Sequence, residues 1–152
     1  NAQSDIIVTI DCDGQNNPSD IPLLFEYFKK NKDIFLVGGI RKNRKDTLIK
    51  IASSKIANFI RRSFLNDNCY DTGCSLKVFD KHIFLKAPYF DGIHRFIPAL
   101  FSGMNKKTKF IDVDHRERKF GTSNYGTIKR AIKGLIDIYI VIKILRVINK
   151  HD

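Results

Sequence analysis

The sequence predicts a single domain of the α/β class, with helices layered on a sheet. The 152 residues are enough for one domain, and 43% of them are hydrophobic, which is sufficient for a core. Short apolar runs alternate along the chain with longer segments of helical periodicity. Charged residues interrupt the most apolar segment, 132–148, so no run of about 20 apolar residues predicts a spanning helix.

Short apolar runs rich in β-branched residues predict the strands. The predicted strands are residues 5–10, 34–37, 76–79 and 110–113. The first has the composition of a buried parallel strand and stops at a cluster of turn residues, 11–18. The second is expected to end at Gly38 and Gly39.

Apolar residues at helical spacing predict the helices. The predicted helices are residues 21–30, 47–64, 96–102 and 127–149. Ser19 or Asp20 is placed to cap the first of them. Two polar segments, 71–74 and 119–126, are predicted to be loops.

Charge is distributed unevenly along the chain. Residues 1–40 carry a net charge of −3 and residues 41–152 a net charge of +14, for a total of +11. This balance favours an anionic partner such as a phosphate, a nucleic acid or a membrane surface. A general excess of lysine that only solvates the surface is the alternative. Three cysteines without a CxxC pair support neither a zinc knuckle nor a disulfide framework.

An acidic turn directly follows the first predicted strand. Asp11 and Asp13 are two positions apart, and alternate side chains of an extended segment share one face. Ligands of open α/β sheets bind beyond the carboxyl ends of strands, where this turn lies. Two carboxylates, with Gln15 as a neutral oxygen donor, suit Mg²⁺ or Mn²⁺. A plain turn before a helix is the alternative.

Six segments in order resemble the family 2 glycosyltransferases, and more narrowly the polyprenyl-phosphate (dolichol-phosphate mannosyltransferase-like) sugar transferases. They are DIIVTIDCDGQNNPSDIP at 5–22, GGIRKNRKD at 38–46, SSKIANFIRR at 53–62, DTGCSLKVF at 71–79, FDGIHRFIPAL at 90–100 and HRERKFGTSNYG at 115–126. The resemblance implies a Rossmann-like GT-A domain. It also implies a nucleotide-sugar donor, a divalent cation (Mg²⁺ or Mn²⁺) and a polyprenyl-phosphate acceptor.

The resemblance assigns roles to individual residues. It places Asp11, Asp13 and Gln15 at the metal and the donor diphosphate, with Asp13 and Asp71 as the expected catalytic residues. The residues expected to bind the acceptor phosphate are Arg41, Lys50 and Ser54. Relatives often have arginine at the position of Lys50, and a lysine keeps the charge but loses the bidentate fork.

Two further motifs, at 115–126 and at 90–100, supply the remaining residues of the expected site. The residues that match donor-phosphate contacts are Arg118, Gly121 and Ser123. The family commonly has a basic residue where this chain has Asn124. His94 and Arg95 are expected on the acceptor side. The alternative is that His94 is a structural residue whose hydrogen bonds are satisfied within a packed loop.

The resemblance therefore implies a metal-dependent, inverting enzyme that transfers a sugar to a polyprenyl phosphate. A cation and arginines would stabilise the charge that develops on the leaving diphosphate. A family 2 enzyme that uses a glycan acceptor in cell-envelope polysaccharide synthesis is the alternative. A basic nucleic-acid-binding module is a distant one, because no stacking platform or groove-reading helix is evident, and no nucleic-acid partner is expected.

The resemblance also predicts how the chain is organised. Residues 1–126 are expected to be the C-terminal portion of the catalytic domain, so that the isolated chain would bind donor poorly and be inactive. Residues 127–152 are expected to form an amphipathic helix on the cytoplasmic face of a membrane, with lysines and arginines near the headgroups. An ordinary helix packed on the sheet is the alternative.

Overall fold

A computed structural model of the chain describes residues 2–42, 48–116, 127–148 and 150, without the side chains of 48–51, 53 and 127–131. Strands and helices alternate over most of this length, as the sequence predicts. The strands are β1 (Ile6–Thr9), β2 (Ile34–Arg41), β3 (Lys77–Asp80) and β4 (Lys107–Val113). The helices are α1 (Ile21–Lys30), α2 (Leu48–Leu65), α3 (Lys81–Phe84), α4 (Ile97–Gly103) and α5 (Thr127–Ile148), and 3₁₀ turns lie at Pro18–Asp20 and Ile93–Arg95.

The four strands form one mixed sheet with the order β1-β3-β2-β4. β3 pairs antiparallel with β1 and with β2, whereas β2 and β4 are parallel. The carboxyl ends of β1, β2 and β4 therefore lie at the same edge of the sheet as the start of β3. We call this edge the site edge, because the predicted functional residues of the described chain follow or precede these strand ends.

The prediction that β1 pairs as a parallel strand is wrong, because its partner β3 is antiparallel to it. Val8 of β1 lies opposite Val78 of β3, and the two strands run in opposite directions. β3 is more than 60 residues away in the sequence and inserts between β1 and β2. Strand direction is fixed by this distant pairing, so the local apolar composition of β1 carries no signal for it.

Alternate residues of the strands pack on opposite layers. Val37 and Val78 pack with Leu24 of α1 on one side of the sheet. Leu36 packs with Ile97 and Phe101 of α4 on the other side. A third cluster joins α4 to the ends of α2 and α5. The result is a sheet between helices, which is the predicted α/β class.

The two glycines expected to end the second strand lie inside it. β2 continues through them to Arg41, which corrects the predicted boundary. A Cβ on Gly38 would lie 2.9 Å from Cε1 of Phe110, and one on Gly39 would lie 2.8 Å from Cγ2 of Val113. The glycines therefore allow the close approach of side chains from β4 within a continuous strand.

The start of α1 is capped differently from the prediction. Neither expected residue caps the helix through its side chain; Asn17 accepts a hydrogen bond from the backbone N–H of Ser19 in the preceding turn. Asp20 instead accepts a hydrogen bond from the backbone N–H of Asp114 at 2.9 Å. This bond ties the start of α1 to the end of β4 at the site edge.

Candidate active site

The acidic turn is held against the loop that precedes β3. Ser75 in that loop makes three hydrogen bonds to residues at the end of β1 and in the turn that follows it. Its hydroxyl accepts hydrogen bonds from the backbone N–H of Asp11 at 2.9 Å and from Nδ2 of Asn16 at 2.8 Å. Its carbonyl oxygen accepts one from Oγ1 of Thr9 at 2.8 Å. Ser75 and Asn16 were not singled out in the sequence, where both look like ordinary turn residues.

The predicted metal ligands lie together in this turn. Asp11 is exposed, whereas Asp13 and Gln15 are half-buried. Oδ1 of Asp13 accepts a hydrogen bond from the backbone N–H of Gln15 at 3.1 Å, which closes the turn. Nε2 of Gln15 lies 3.4 Å from Nε2 of His115, a buried residue just beyond β4. The turn is thus fixed both to the start of β3 and to the end of β4.

The donor set of the turn fits a hard divalent cation. Two carboxylates and one amide oxygen are ligands that Mg²⁺ and Mn²⁺ accept. Within residues 2–42, 48–116 and 127–150, as far as they are described, no cluster of three or more His, Cys, Asp or Glu side chains could hold a metal. A cation at Asp11 and Asp13 would therefore need further oxygen ligands from a substrate or water, as Mg²⁺ commonly has.

Arg41 and Asp71 form a bidentate ion pair at the same edge. Nε and Nη2 of Arg41 each donate to a different oxygen of Asp71 at 2.7 Å, and the backbone N–H of Arg41 donates to Asp71 at 3.2 Å. Both side chains are largely buried, with 12% and 7% of their surface exposed. The structure thus joins a residue predicted to bind acceptor phosphate to one predicted to be catalytic.

A glycine makes room for this ion pair. A Cβ at Gly73 would lie 2.6 Å from Nη2 of Arg41 and 3.4 Å from Oδ1 of Asp71. The absence of a side chain therefore lets the guanidinium lie against the backbone of the 71–75 loop. This is a physical reason for the glycine that the motif carries at this position.

The middle of α2 adjoins the same loop. Oγ1 of Thr72 donates to Oδ1 of Asn58 at 2.9 Å, and Nδ2 of Asn58 lies 3.5 Å from Oγ of Ser54. Ser54 is thereby connected through two side chains to the loop that carries Asp71. The side chain of Lys50, the other residue expected at the acceptor phosphate, lies outside the described residues.

A buried lysine was missed in the sequence. Lys77 in the central strand β3 is 4% exposed, and its ammonium group donates to the backbone carbonyl of Cys74. Burial lowers its pKa, and the carboxylates of Asp11 and Asp71 oppose this shift. The available signal was a single cationic residue between Leu76 and Val78 in an otherwise apolar strand.

His94 and Arg95 lie in the 3₁₀ turn before α4. Partial desolvation, followed by the charges of Arg95 and Lys77, lowers the pKa of His94, while Asp11 raises it. His94 is therefore within electrostatic range of the acidic turn. Nη2 of Arg95 donates to Oδ2 of Asp137 in α5 at 2.5 Å, and Asp137 is buried. Arg95 thus joins the 3₁₀ turn to the last helix.

None of the cysteines forms a disulfide, and the two buried ones are not activated as nucleophiles. All three are free, and Cys69 and Cys74 are buried. Burial raises the pKa of Cys74 and raises that of Cys69 to about 11, so both remain thiols near neutral pH.

The predicted donor-phosphate residues Arg118, Gly121 and Ser123 lie outside the described residues.

Comparison with known proteins identifies the family. The model of "Glycosyl transferase family 2" matches residues 1–87, which is more than half of the chain. The chain belongs to glycosyl transferase family 2. This confirms the family predicted from the six sequence motifs, the first four of which overlap the matched segment.

The names of two relatives in this family include a polyprenyl phosphate. An undecaprenyl-phosphate 4-deoxy-4-formamido-L-arabinose transferase of Pectobacterium carotovorum subsp. carotovorum is 38% identical over 128 residues, which are 84% of this chain and 38% of that protein. A dodecaprenyl-phosphate galacturonate synthase of Rhizobium johnstonii is 33% identical over 148 residues, which are 95% of this chain and 43% of that protein. The chain thus spans about two fifths of the length of these family 2 relatives.

A solved structure supports the fold of this family 2 chain. Glucosyl-3-phosphoglycerate synthase from Mycobacterium tuberculosis, solved with phosphoglyceric acid, superimposes with a TM-score of 0.63 at 15% sequence identity. The match covers 90% of this chain and 50% of that one. The predicted GT-A fold class is therefore confirmed.

Proposed function

We propose that this protein transfers a sugar from a nucleotide-sugar donor to a polyprenyl phosphate at the cytoplasmic face of a membrane. One structural observation carries the proposal: the turn with Asp11 and Asp13 lies at the same sheet edge as Arg41, which Asp71 holds in a bidentate pair. A cation site and a fixed guanidinium are what a reaction between two phosphate-bearing substrates requires. The names of the relatives supply the class of acceptor.

The reaction is a displacement at the anomeric carbon of the donor sugar. An oxygen of the acceptor phosphate forms the new bond to that carbon, and the bond to the donor diphosphate breaks, with inversion of configuration. The nucleoside diphosphate leaves with the electron pair. Because the acceptor is already an anion, the site needs to position and partly neutralise it rather than remove a proton with a strong base.

The acidic turn would serve the donor side of this reaction. Asp11, Asp13 and Gln15 would hold Mg²⁺ or Mn²⁺ together with oxygens of the donor diphosphate. The bound ion would neutralise charge that develops on the leaving group. Arg118, Gly121 and Ser123 are proposed to contact the same diphosphate, on the strength of the sequence motif.

Arg41 and the start of α2 would serve the acceptor side. Arg41 would bind the acceptor phosphate, together with Lys50 and Ser54. Asp71 fixes the direction of the guanidinium, so we assign Asp71 the role of positioning Arg41 rather than that of a base. His94, whose lowered pKa favours the neutral ring, would lie near the entering phosphate without adding repulsive or attractive charge.

The deciding experiment is a transfer assay with a short polyprenyl phosphate, Mg²⁺ or Mn²⁺, and a panel of radiolabelled nucleotide sugars. It is run with the protein of the full genomic reading frame and, in parallel, with the 152-residue chain. The expected result is label in the lipid extract that requires the cation. A glycan acceptor offered in place of the lipid tests the alternative acceptor, and labelling of the glycan alone would overturn the lipid assignment.

A pair of variants tests the acidic turn within the same assay. Asp13→Ala is expected to lower the transfer rate by about a hundredfold or more, because removal of a charge-stabilising group commonly costs that much. Asp33→Ala is the matched control, since Asp33 is an exposed aspartate before β2, at the opposite edge of the sheet, paired with Lys107. Transfer by Asp13→Ala at the rate of the control would remove the metal assignment.

A further inference from the structure

Helix α2 is amphipathic, but its polarity is reversed: polar residues face the fold and large apolar residues face outward. The side that faces the fold carries the polar residues Asn58 and Arg61, which are 8% and 5% exposed. The side that faces outward carries large apolar residues: Ile56, Phe59 and Phe64 are each more than 60% exposed. A helix that packs on a water-soluble fold normally has the opposite arrangement.

Specific bonds hold α2 in this orientation. Arg61 forms a buried ion pair with Asp67 and also donates to the carbonyl oxygen of Cys69. Asn58 accepts a hydrogen bond from Thr72, as described above. Rotation of the helix to bury Phe59 would break these bonds and leave a buried carboxylate unpaired. The outward direction of the apolar side chains is therefore built into the fold.

Helix α5 presents a second apolar stripe. Its exposed residues are Ile132, Leu135, Ile136 and Tyr139, each more than half exposed and spaced for one helix face. α2 and α5 contact each other, and the groove between their C-terminal halves is lined by Phe64, Leu65, Ile142 and Leu145. We call the exposed apolar residues of the two helices (Ile56, Phe59, Phe64, Ile132, Leu135, Ile136 and Tyr139) the α2–α5 face.

The charges around the α2–α5 face are positive. The sequence of α2 contains no acid, and of its described basic side chains Lys55 is exposed, whereas Arg61 is buried in its pair with Asp67. That of α5 contains a single acid, the buried Asp137 that binds Arg95, and its described basic residues Lys133, Lys143 and Arg146 are exposed. The exposed Asp91 lies beside α5, but Lys133 pairs with it and lowers its pKa. The exposed apolar groups of the two helices are thus accompanied by the exposed cations Lys55, Lys143 and Arg146.

We propose that the α2–α5 face docks on a bilayer that contains anionic lipid. Its apolar side chains would enter the boundary between headgroups and acyl chains, and the lysines and arginines would contact lipid phosphates. None of the helices in the described residues is long and apolar enough to cross a membrane. A second copy of this chain fits the face less well, because two positively charged surfaces would meet.

This inference rests on the proposed function and adds to it the side of the protein that faces the membrane. Ser54 and Asn58 lie on α2 next to the loop of Asp71. Docking of the outer side of the same helix would bring the proposed acceptor-phosphate site to the level of the headgroups. The phosphate of a polyprenyl lipid could then reach Arg41 while its hydrocarbon chain stays in the bilayer.

Vesicle co-sedimentation of the 152-residue chain tests the docking without donor or cation. Vesicles of phosphatidylcholine are compared with vesicles that also contain phosphatidylglycerol. The expected result is binding to the anionic vesicles that weakens with added salt. The double variant Phe59→Glu/Phe64→Glu should bind on the order of tenfold more weakly, because it removes two apolar contacts and adds two negative charges.

The matched control is Leu23→Glu, a similar change at a residue of α1 that is 51% exposed. It should bind as the unsubstituted chain does, and circular dichroism should show that both variants fold. Equal binding by the double variant and the control would overturn the proposal. So would a dimer in analytical ultracentrifugation that the double variant dissociates while neither protein binds vesicles, because a second copy would then occupy the face.

Two further measurements separate this inference from the proposed function. Asp13→Ala should lose sugar transfer and keep vesicle binding. The Phe59→Glu/Phe64→Glu variant should keep transfer to a water-soluble short-chain prenyl phosphate and lose transfer to a long-chain acceptor in vesicles. Transfer is measured on the protein of the full genomic reading frame. Transfer by that protein without vesicle binding would refute the docking alone, and vesicle binding without any transfer by that protein would refute the proposed function alone.

Discussion

Asp71 illustrates how one carboxylate can fix the direction of a neighbouring guanidinium. Its two oxygens accept three hydrogen bonds from Arg41, two of them from the guanidinium at 2.7 Å. This geometry fixes a planar cation in one direction, which suits recognition of a tetrahedral phosphate. A carboxylate engaged in this way is better placed to orient a neighbour than to accept a proton from a substrate.

Asp71→Asn should therefore affect acceptor binding more than the chemical step. The amide keeps the size of the side chain but loses the charge that holds Arg41. We expect KM for the polyprenyl phosphate to rise by about ten- to a hundredfold with a smaller change in kcat. Unfolding in urea should show a loss of about 3 kcal/mol, as for a buried ion pair that loses one partner.

The control for Asp71→Asn is Asp112→Asn. Asp112 pairs with Lys42 on the surface, where both side chains are more than half exposed, and the expected loss of stability is below about 1 kcal/mol. A fall in kcat with an unchanged KM for the acceptor in Asp71→Asn would identify Asp71 as a base and contradict the positioning role.

His94 should titrate below the ordinary histidine value of 6.5. The unfolded chain then binds a proton at this residue more readily than the folded protein does. The contribution of His94 to stability is therefore complete above about pH 6.5 and is lost as the pH falls toward the pKa of the folded state. Histidine NMR measures the pKa directly, and Lys77→Met should raise it by removing a positive charge. A value at or above 6.5 would contradict the described surroundings of the ring.

The elements show which features a single sequence can and cannot reveal. The helical periodicity of residues 21–30 and 127–149 led to nearly correct boundaries, because the spacing of apolar residues marks where a helix runs, whichever of its sides packs on the fold. The strand with Gly38 and Gly39 was cut short, because glycine also ends strands and the residues that fill its space come from β4. A local pattern cannot contain that information.

The reversed polarity of α2 was also hidden in the sequence. Its apolar residues have the spacing of an ordinary amphipathic helix, and the spacing does not say which side faces the fold. The direction depends on Asp67 and Thr72, which are too far along the chain to be paired with Arg61 and Asn58 by inspection. Helix formation was predictable, whereas its orientation required the tertiary bonds.

Gly39→Ala should destabilise the fold through β2. The added methyl group would lie 2.8 Å from Cγ2 of Val113 and 2.9 Å from Sγ of Cys74, both buried. Overpacking of this kind costs about 1–3 kcal/mol, to be measured by urea unfolding. Gly134→Ala is the control, because a Cβ there has nothing within 4 Å and alanine favours a helix by about 1 kcal/mol. Equal stabilities of the two variants would contradict the described packing.

The topology of the sheet assembles the candidate site from distant parts of the chain. The motifs indicated the family and most of the candidate residues, but only the strand order shows that residues near 11, 41, 71 and 115 share one edge. Lys77 escaped prediction because a buried cation is recognisable only once its surroundings are known. The donor-phosphate residues 118, 121 and 123 remain predictions, since they lie outside the described residues.

Mn²⁺ should distinguish the two edges of the sheet. His115 lies beside Gln15 at the site edge, whereas His82 pairs with Asp5 at the start of β1, at the opposite edge. A paramagnetic ion at Asp11 and Asp13 should broaden the NMR signals of His115 at concentrations that leave those of His82 sharp. Asp13→Ala should remove the difference, and Asp33→Ala should keep it. Equal broadening of both histidines would argue against a cation at the acidic turn.

The ion pair between Arg95 and Asp137 has a mechanical consequence. It links the turn that bears His94 to a buried position of α5, one residue after the exposed Ile136. Any sliding or tilting of α5 as it settles among lipids would be transmitted through that link to the imidazole ring. The NMR resonance of His94 would then report, from within the candidate site, how the α2–α5 face is seated on the bilayer.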